Sequence, residues 1–270
     1  MNGNAFEDID LKDIALETLP GTLTALIPGV AEHRADLPLA LASVGKLLLL
    51  TEVARSFANG TLNPDEPLEL LPEDYCEGSG LLTKLSPRTW TLQDLARLTA
   101  SISDNTATNA LLRRLGLDRI NHGTEQLGLH NTRILDKIRE PRRPTHPPTF
   151  AIGTARELAV LATMAGGPEP WAALLLGWMA SCTDRTMVPA LIPHDPEDDA
   201  VRETGELPLG HLWVANKTGT DAGTRCDVGI VRGSRQVVYA VLTACEPGRE
   251  FEMIQAMRCF GRVVGAAAAG

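Results

Sequence analysis

Apolar and polar residues follow one pattern at the two ends of the chain and another in its middle. Residues 22–28 (TLTALIP) and 36–42 (DLPLALA) are short apolar runs around the turn-like segment GVAEHRA, and this pattern predicts a β-hairpin. Three strand-like runs near the other end are joined by the short turns DAGT and GSR: HLWVANK, RCDVGIVRG and QVVYAVLTA. Strands joined by short turns favour an antiparallel sheet, and we expect the hairpin to join it.

From residue 43 to about residue 180 the apolar residues recur at helical spacing. The run LLLLTEVARSFANG stops at Asn59-Gly60, TLQDLARLTASIS begins at the capping residue Thr91, and NTATNALLRRLG ends at Gly116. Three more helices are predicted from ARELAVLATMAGG, WAALLLGWMASC and the C-terminal EFEMIQAMRCFGRVVGAAAA. Residues 139–150, with four prolines, and the acidic residues 193–210 are expected to be loops.

These elements predict an α+β fold with two lobes in a single domain, residues 1–270. The sheet lobe is expected to comprise about 20–42 and 211–270, and the all-helical lobe about 43–192. A cleft between two lobes is a usual place for a ligand site.

Composition excludes several classes of function. The net charge of -9 argues against nucleic-acid binding, which needs clustered Lys and Arg. Five cysteines without a CxxC pair predict neither a zinc site nor a complete disulfide framework. The sequence implies no metal or organic cofactor. No apolar stretch reaches membrane-spanning length, and the first residues do not resemble a signal peptide. We therefore expect a cytoplasmic protein, or a mature secreted or periplasmic form that has lost its signal.

Three short motifs carry nucleophile chemistry. They are S-x-x-K at 43–46, S-D-N at 103–105 and K-T-G at 217–219, and chance would place all three in this order with a probability of roughly 10⁻⁴. Ser43 and Lys46 share one helix face, and burial together with the charge of Lys217 would lower the pKa of Lys46 enough for it to activate the serine. The Ser103 hydroxyl both donates and accepts, so it suits a proton relay to a leaving nitrogen.

These motifs resemble the set found in class A β-lactamases and penicillin-binding proteins. The similarity extends to SDNTATNALLRRLG, LLLGWM and WVANKTGTDAGTRCDVGIV, and it covers about residues 20–265 with gaps at 139–150 and 193–210. The resemblance implies an acyl-enzyme at Ser43, with Lys46 as its base, and a small-molecule substrate that carries an anionic group.

The resemblance also assigns roles around the substrate. The K-T-G residues Lys217, Thr218 and Gly219 would bind its carboxylate, helped by Arg225, and the Thr220 N–H would complete an oxyanion hole with the Ser43 N–H. Asn105 would position Lys46 and hold a substrate carbonyl, whereas Asp104 is expected to bind the local backbone.

Release of the acyl group needs a base that activates water, and here the sequence departs from the family pattern. Glu140 is the nearest match to the class A glutamate, but the residue four positions on, where that family has an asparagine, is Pro144. His146 is an alternative base because its pKa suits the task.

Three functions therefore remain open: a β-lactamase-like hydrolase, a DD-peptidase or esterase with slow or no release of β-lactams, and a non-catalytic protein that binds a small ligand.

Overall fold

The computed structural model describes residues 16–195 and 211–270. Ten strands lie within these residues: β1 Gly21–Ile27, β2 Ala31–His33, β3 Leu39–Ala40, β4 Pro67–Glu69, β5 Thr89–Thr91, β6 Arg133–Ile134, β7 Ala151–Gly153, β8 Trp213–Asp221, β9 Thr224–Arg232 and β10 Gln236–Cys245. The same part of the chain contains seven α-helices: α1 Lys46–Ala58, α2 Leu92–Ser101, α3 Asn105–Leu115, α4 Leu117–Gln126, α5 Ala155–Ala165, α6 Ala172–Ala180 and α7 Glu250–Ala269.

The main sheet is antiparallel and has five strands in the order β2-β1-β10-β9-β8. The three C-terminal strands follow one another through short turns, as predicted, and β1 pairs with β10 from Gly21↔Cys245 to Leu26↔Ala240. This pairing joins the two end regions of the chain in one sheet, so the predicted α+β fold is confirmed. The part expected to be all-helical, about 43–192, also contains the short strands β4 to β7. Strand β8 lies at an edge of the sheet.

The predicted N-terminal hairpin was wrong in its second strand. The chain reverses immediately after Ile27, at Pro28 and Gly29, where Gly29 has a φ of 74° and the Val30 N–H donates to the Ile27 carbonyl. Residues 31–33 therefore form the partner of β1. Strand β3, from the segment 36–42, pairs instead with β7 in a separate sheet of order β3-β7-β6.

Side-chain caps define the helix ends in the helical part. The hydroxyl of Thr91 accepts from the Asp94 N–H and begins α2, and the Asp104 carboxylate accepts from the Ala107 N–H and begins α3. Gly116, with a φ of 82°, ends α3 as predicted. The helix α4, which follows directly, was not predicted, because its apolar positions are few.

Two apolar clusters bury both faces of the main sheet. On one face, Val228, Ile230 and Leu242 pack against the helical part of the chain. On the other, Val231 and Tyr239 pack against α7, whose side chains Met253, Met257 and Phe260 are fully buried. Complete burial of each such side chain contributes about 1.5–3 kcal/mol, so the C-terminal helix is a substantial part of the core.

Residues 139–150 contain no helix or strand, as predicted. Most of the acidic segment 193–210 lies outside the described residues. None of the described helices is long and apolar enough to cross a membrane.

Candidate active site

Ser43 lies in a short 3₁₀ turn, Ala42–Gly45, that leads directly into α1. The turn replaces the regular helical start that the sequence predicts. Ala42 has a left-handed backbone with a φ of 44°, and a Cβ on Gly45 would lie 2.4 Å from the Cβ of Ala151. The turn is therefore packed tightly against β7, and this packing fixes the position of the serine.

Lys46, the first residue of α1, is completely buried. Its Nζ donates to the Ser103 carbonyl at 2.6 Å, to Ser103 Oγ at 3.0 Å and to Asn105 Oδ1 at 2.8 Å. The S-x-x-K and S-D-N motifs, far apart in sequence, thus meet at one amine.

Ser103 joins the two lysines of the site. Its Oγ also accepts from Lys217 Nζ at 3.1 Å, so one hydroxyl lies between two amines. The residue has a φ of 58°, in the left-handed region. Among the described residues only three non-glycine residues have a positive φ, and two of them, Ala42 and Ser103, belong to this site. Such strain costs about 1–2 kcal/mol per residue and is concentrated at functional sites.

Burial and a neighbouring positive charge both act against the protonated form of Lys46. Burial, and then the positive charge of Lys217, hold the pKa of Lys46 well below its usual value, while Asp104 and Cys76 oppose this shift. Burial also lowers the pKa of Lys217, which is 1% exposed. A lowered pKa makes the neutral form of a buried lysine more accessible, and the neutral form is the one that can take the proton of a serine nucleophile.

Asp104 and Asn105 fix the loop that follows Cys76. One oxygen of Asp104 accepts from the backbone N–H groups of Leu81 and Leu82, at 2.6 and 3.0 Å, so this carboxylate binds local backbone as expected. Asn105 Nδ2 donates to the Glu77 carbonyl at 2.8 Å. Because its Oδ1 binds Lys46, the Asn105 side chain connects this loop to the catalytic amine.

The K-T-G segment lies in β8, against the Ser43 turn. A Cβ on Gly219 would lie 2.4 Å from the Leu41 carbonyl oxygen and 2.9 Å from the Val44 nitrogen, so glycine permits this close approach. Strand β8 then continues to Thr220 at the surface. The cavity beside it, about 230 Å³ in volume, is lined by five predicted site residues: Ser43, Ser103, Lys217, Thr218 and Thr220.

Arg225 is placed differently from these residues. It lies opposite Thr220 on β9, and its Nη1 donates to the carbonyls of Asp221 and Thr224 at 2.6 and 2.7 Å. The guanidinium thus binds the β8–β9 turn and is not part of the cavity lining. Its predicted contact with a carboxylate requires the side chain to turn.

Glu140 and His146 line a second cavity, of about 380 Å³. Glu140 is exposed. Cys76 also lines this cavity, and burial raises the pKa of its thiol. His146 Nδ1 accepts from the Arg143 N–H, and desolvation and the charge of Arg139 lower its pKa. The structure brings the two candidate bases together, but in a cavity other than the one that Ser43 lines.

Several lining residues of the Ser43 cavity were missed by sequence reasoning. They are Ser79, Ser101, Ile102, Cys182, Thr183 and Asp184. The segment after α6 reaches the cavity because the N–H and hydroxyl of Thr183 both donate to the Ser101 carbonyl, at 3.0 and 3.1 Å. No periodicity or motif marks these positions, so the sequence alone contains no signal for them.

A buried polar cluster lies next to β8, the strand that carries Lys217. Asp227, fully buried, accepts from Asn216 Nδ2 at 3.0 Å, from the Tyr239 hydroxyl at 3.0 Å and from the Val188 N–H at 3.1 Å. Burial raises the pKa of Asp227 to about 7, against the effect of these hydrogen bonds. Asn216 precedes Lys217 and also donates to the Asp184 carbonyl, so the cluster connects β8 to the segment after α6.

No group of three or more potential metal-binding side chains occurs in the described ranges, 16–195 and 211–270.

Comparison with known proteins agrees with this fold. A β-lactamase from Sphaerobacter thermophilus superposes with a TM-score of 0.79 at 26% identity, covering 96% of both chains. PBP-A superposes with a TM-score of 0.78 at 23% identity, covering 95% of this chain and 94% of that one. A class A β-lactamase from Mycobacterium abscessus gives 0.77 at 21% identity, with 96% and 98% covered. The model of the beta-lactamase enzyme family matches residues 28–266, and the chain therefore belongs to this family.

Proposed function

We propose that the protein is an active-site serine hydrolase that is acylated at Ser43 by β-lactams, or by related amides and esters that carry an anionic group. The proposal rests on the position of the Ser103 hydroxyl between two lysines. The Ser103 hydroxyl lies 3.0 Å from Lys46 Nζ and 3.1 Å from Lys217 Nζ, and it lines the same cavity as Ser43. A binding protein without catalysis has no need for such a proton-transfer chain.

In the proposed acylation Lys46 acts as the base. Neutral Lys46 takes the proton from Ser43 Oγ as that oxygen attacks the carbonyl carbon. The oxyanion that forms is stabilised by the backbone N–H groups of Ser43 and Thr220, an effect that typically accounts for a factor of about 10²–10³ per donor. The proton then passes from Lys46 through Ser103 Oγ to the leaving nitrogen, and the C–N bond breaks.

Substrate binding uses the groups around this chain. Lys217, with the hydroxyls of Thr218 and Thr220, would hold the substrate carboxylate, and Arg225 would contribute after turning from the β8–β9 turn. The second N–H of the Asn105 amide would hold a carbonyl of the acyl part, which requires the substrate to reach a residue that is buried and outside the cavity lining. None of these steps requires a metal or a cofactor, and the substrate is a small molecule.

Release of the acyl group separates two candidate reactions. If Glu140 activates water, the protein is a β-lactamase. Because Glu140 lines the neighbouring cavity, the geometry favours the second candidate, a peptidase or esterase that retains β-lactams as a long-lived acyl-enzyme. Pro144, which offers no side-chain hydrogen bond to a water, favours the same candidate. A related chain, PBP-A carrying L158E, is described as an acyl-enzyme complex with penicillin G.

The experiment is intact mass spectrometry after exposure to a panel of β-lactams. We expect one added acyl group per chain, located at Ser43 by peptide mapping and absent from the Ser43→Ala variant. The proposal fails if no adduct forms and activated esters are not hydrolysed. A burst of one equivalent of nitrocefin followed by slow turnover would identify the slow-release candidate, whereas sustained rapid turnover would identify a β-lactamase.

A further inference from the structure

Asp184 places a fixed negative charge in the cavity that Ser43 lines. The residue follows α6 and is half-buried. Its Oδ1 accepts from the Thr186 N–H at 3.1 Å and from the Thr186 hydroxyl at 2.7 Å. Of the residues that the structure describes, none donates to the other oxygen, Oδ2, which is therefore available to a ligand.

The neighbouring contacts hold Asp184 in this position. The Asn216 side chain donates to the Asp184 carbonyl at 3.2 Å, and Thr183 is bound to Ser101 across the cavity. Arg185, the next residue, points elsewhere, since its guanidinium donates to the Ala180 carbonyl and to Asn216 Oδ1. The adjacent cation thus does not neutralise the Asp184 carboxylate.

The lining of this cavity carries one positive and one negative side chain. Among the described residues of its lining, only Lys217 and Asp184 carry a charge, and the others include the hydroxyls of Ser43, Ser79, Ser101, Ser103, Thr183, Thr218 and Thr220. The negative charge of Asp184 acts on Lys217, whose pKa it raises against the lowering effect of burial. A ligand that matches this cavity carries an anion for Lys217 and a cation for Asp184.

We propose that Asp184 is a specificity-determining residue that favours substrates with a positive charge close to the carboxylate of their leaving part. The proposal rests on the proposed function. In that reaction Lys217 binds the carboxylate and Ser103 protonates the leaving nitrogen, and both groups belong to the part of the substrate that leaves. The corresponding substrates are peptides whose C-terminal residue has a cationic side chain, or cephalosporins with a quaternary ammonium group at C3.

The test compares two cephalosporins with the same acyl side chain, one with an N-methylpyrrolidinium group at C3 and one with a neutral acetoxymethyl group. Their acylation rates at Ser43 are measured for the wild type, Asp184→Asn and Asp65→Asn. Asparagine keeps the oxygen that accepts from Thr186, so the turn is retained. Asp65 is exposed, in the loop between α1 and β4, and its substitution changes the net charge equally.

We expect Asp184→Asn to lower the ratio of the cationic to the neutral rate by about threefold to tenfold, as for a partly exposed ion pair. Asp65→Asn should leave the ratio unchanged, and the effect of Asp184→Asn should shrink at about 1 M salt. An unchanged ratio in Asp184→Asn, or an equal loss for both compounds, overturns the proposal.

A binding measurement separates this proposal from the reaction itself. The dissociation constants of the two cephalosporins are measured by calorimetry on Ser43→Ala, with and without Asp184→Asn. If neither compound, no other β-lactam of the panel and no activated ester reacts with the wild type, the proposed function fails. The role of Asp184 then stands only if Asp184→Asn still weakens binding of the cationic compound selectively, and it fails if both compounds are affected alike.

Discussion

The backbone of Gly219 lies directly against the turn that carries Ser43, and a methyl group at residue 219 would be 3.2 Å from the Ser43 nitrogen. The same methyl group would be 2.4 Å from the Leu41 carbonyl oxygen, far closer than two such atoms approach. Either β8 or the Ser43 turn must move to accommodate any side chain here. Under the proposed function, the two N–H groups of the oxyanion hole belong to these two segments.

Gly219→Ala should therefore lower the rate of acylation at Ser43 by about 100-fold or more, because both donors of the oxyanion hole are displaced. The rate is measured by timed mass spectrometry with a reactive β-lactam. Gly177→Ala is the matched control, since a Cβ at this position in α6 meets nothing within 4 Å. Equal acylation rates in the two variants would show that the contact does not position the nucleophile.

The pH dependence of acylation should report the charge of Lys217. Its positive charge lowers the pKa of Lys46, so Lys217→Met raises that pKa and moves the rising limb of the rate profile to higher pH. A neutral p-nitrophenyl ester is the probe, because it has no carboxylate for Lys217 to bind, and the rate of Ser43→Ala is subtracted as background.

Lys84→Met provides the control for this profile, since it removes an exposed lysine side chain. The control should match the wild type. A profile for Lys217→Met that shifts to lower pH, or does not shift, contradicts the assignment of Lys46 as the base.

Substitution of Glu140 should have little effect on release of the acyl group. Because Glu140 is exposed and lines the neighbouring cavity, we expect Glu140→Gln to change steady-state nitrocefin turnover by less than about twofold. Glu73→Gln, which alters another exposed acid of the same cavity, is the control. A tenfold loss confined to Glu140→Gln would instead establish this residue as the base that activates water.

The sequence predicts those structural features that depend on residues close together in the chain, and it fails for those that depend on residues far apart. The three C-terminal strands and the caps at Thr91 and Gly116 were predicted because their signals are local. The segment after α6 was missed because Asn216 and Ser101, distant in sequence, place it. The position of the loop that carries Glu140 could not be predicted for the same reason.

The position of that loop depends on a tertiary contact. Asn109 in α3 makes two hydrogen bonds with the backbone of Ile138, accepting from its N–H at 2.8 Å and donating to its carbonyl at 3.0 Å. The sequence identifies Glu140 as a candidate base by its spacing from Ser103, but it contains no information on which cavity the carboxylate enters.

Asp227 should give the protein a stability component that depends on pH. Its pKa is about 7 in the folded state and near 3.8 when unfolded, so the folded state binds more protons between about pH 4 and pH 7. This contribution is fully present below pH 4 and is lost as the pH rises through 7, with a total size of about 4 kcal/mol. Asp227→Asn removes the titrating group and keeps the acceptor for Asn216 and Tyr239.

The measurement is urea unfolding of the wild type and of Asp227→Asn at pH 4, 5.5, 7 and 8. The free energy of unfolding of the variant should increase relative to that of the wild type as the pH rises. The difference between the two should level off above pH 7. Taking the difference cancels the opposing slopes of carboxylates with lowered pKa values, such as Asp136. A difference that is constant with pH would mean that Asp227 is ionised in the folded protein throughout, and that its three hydrogen bonds outweigh the cost of burying its charge.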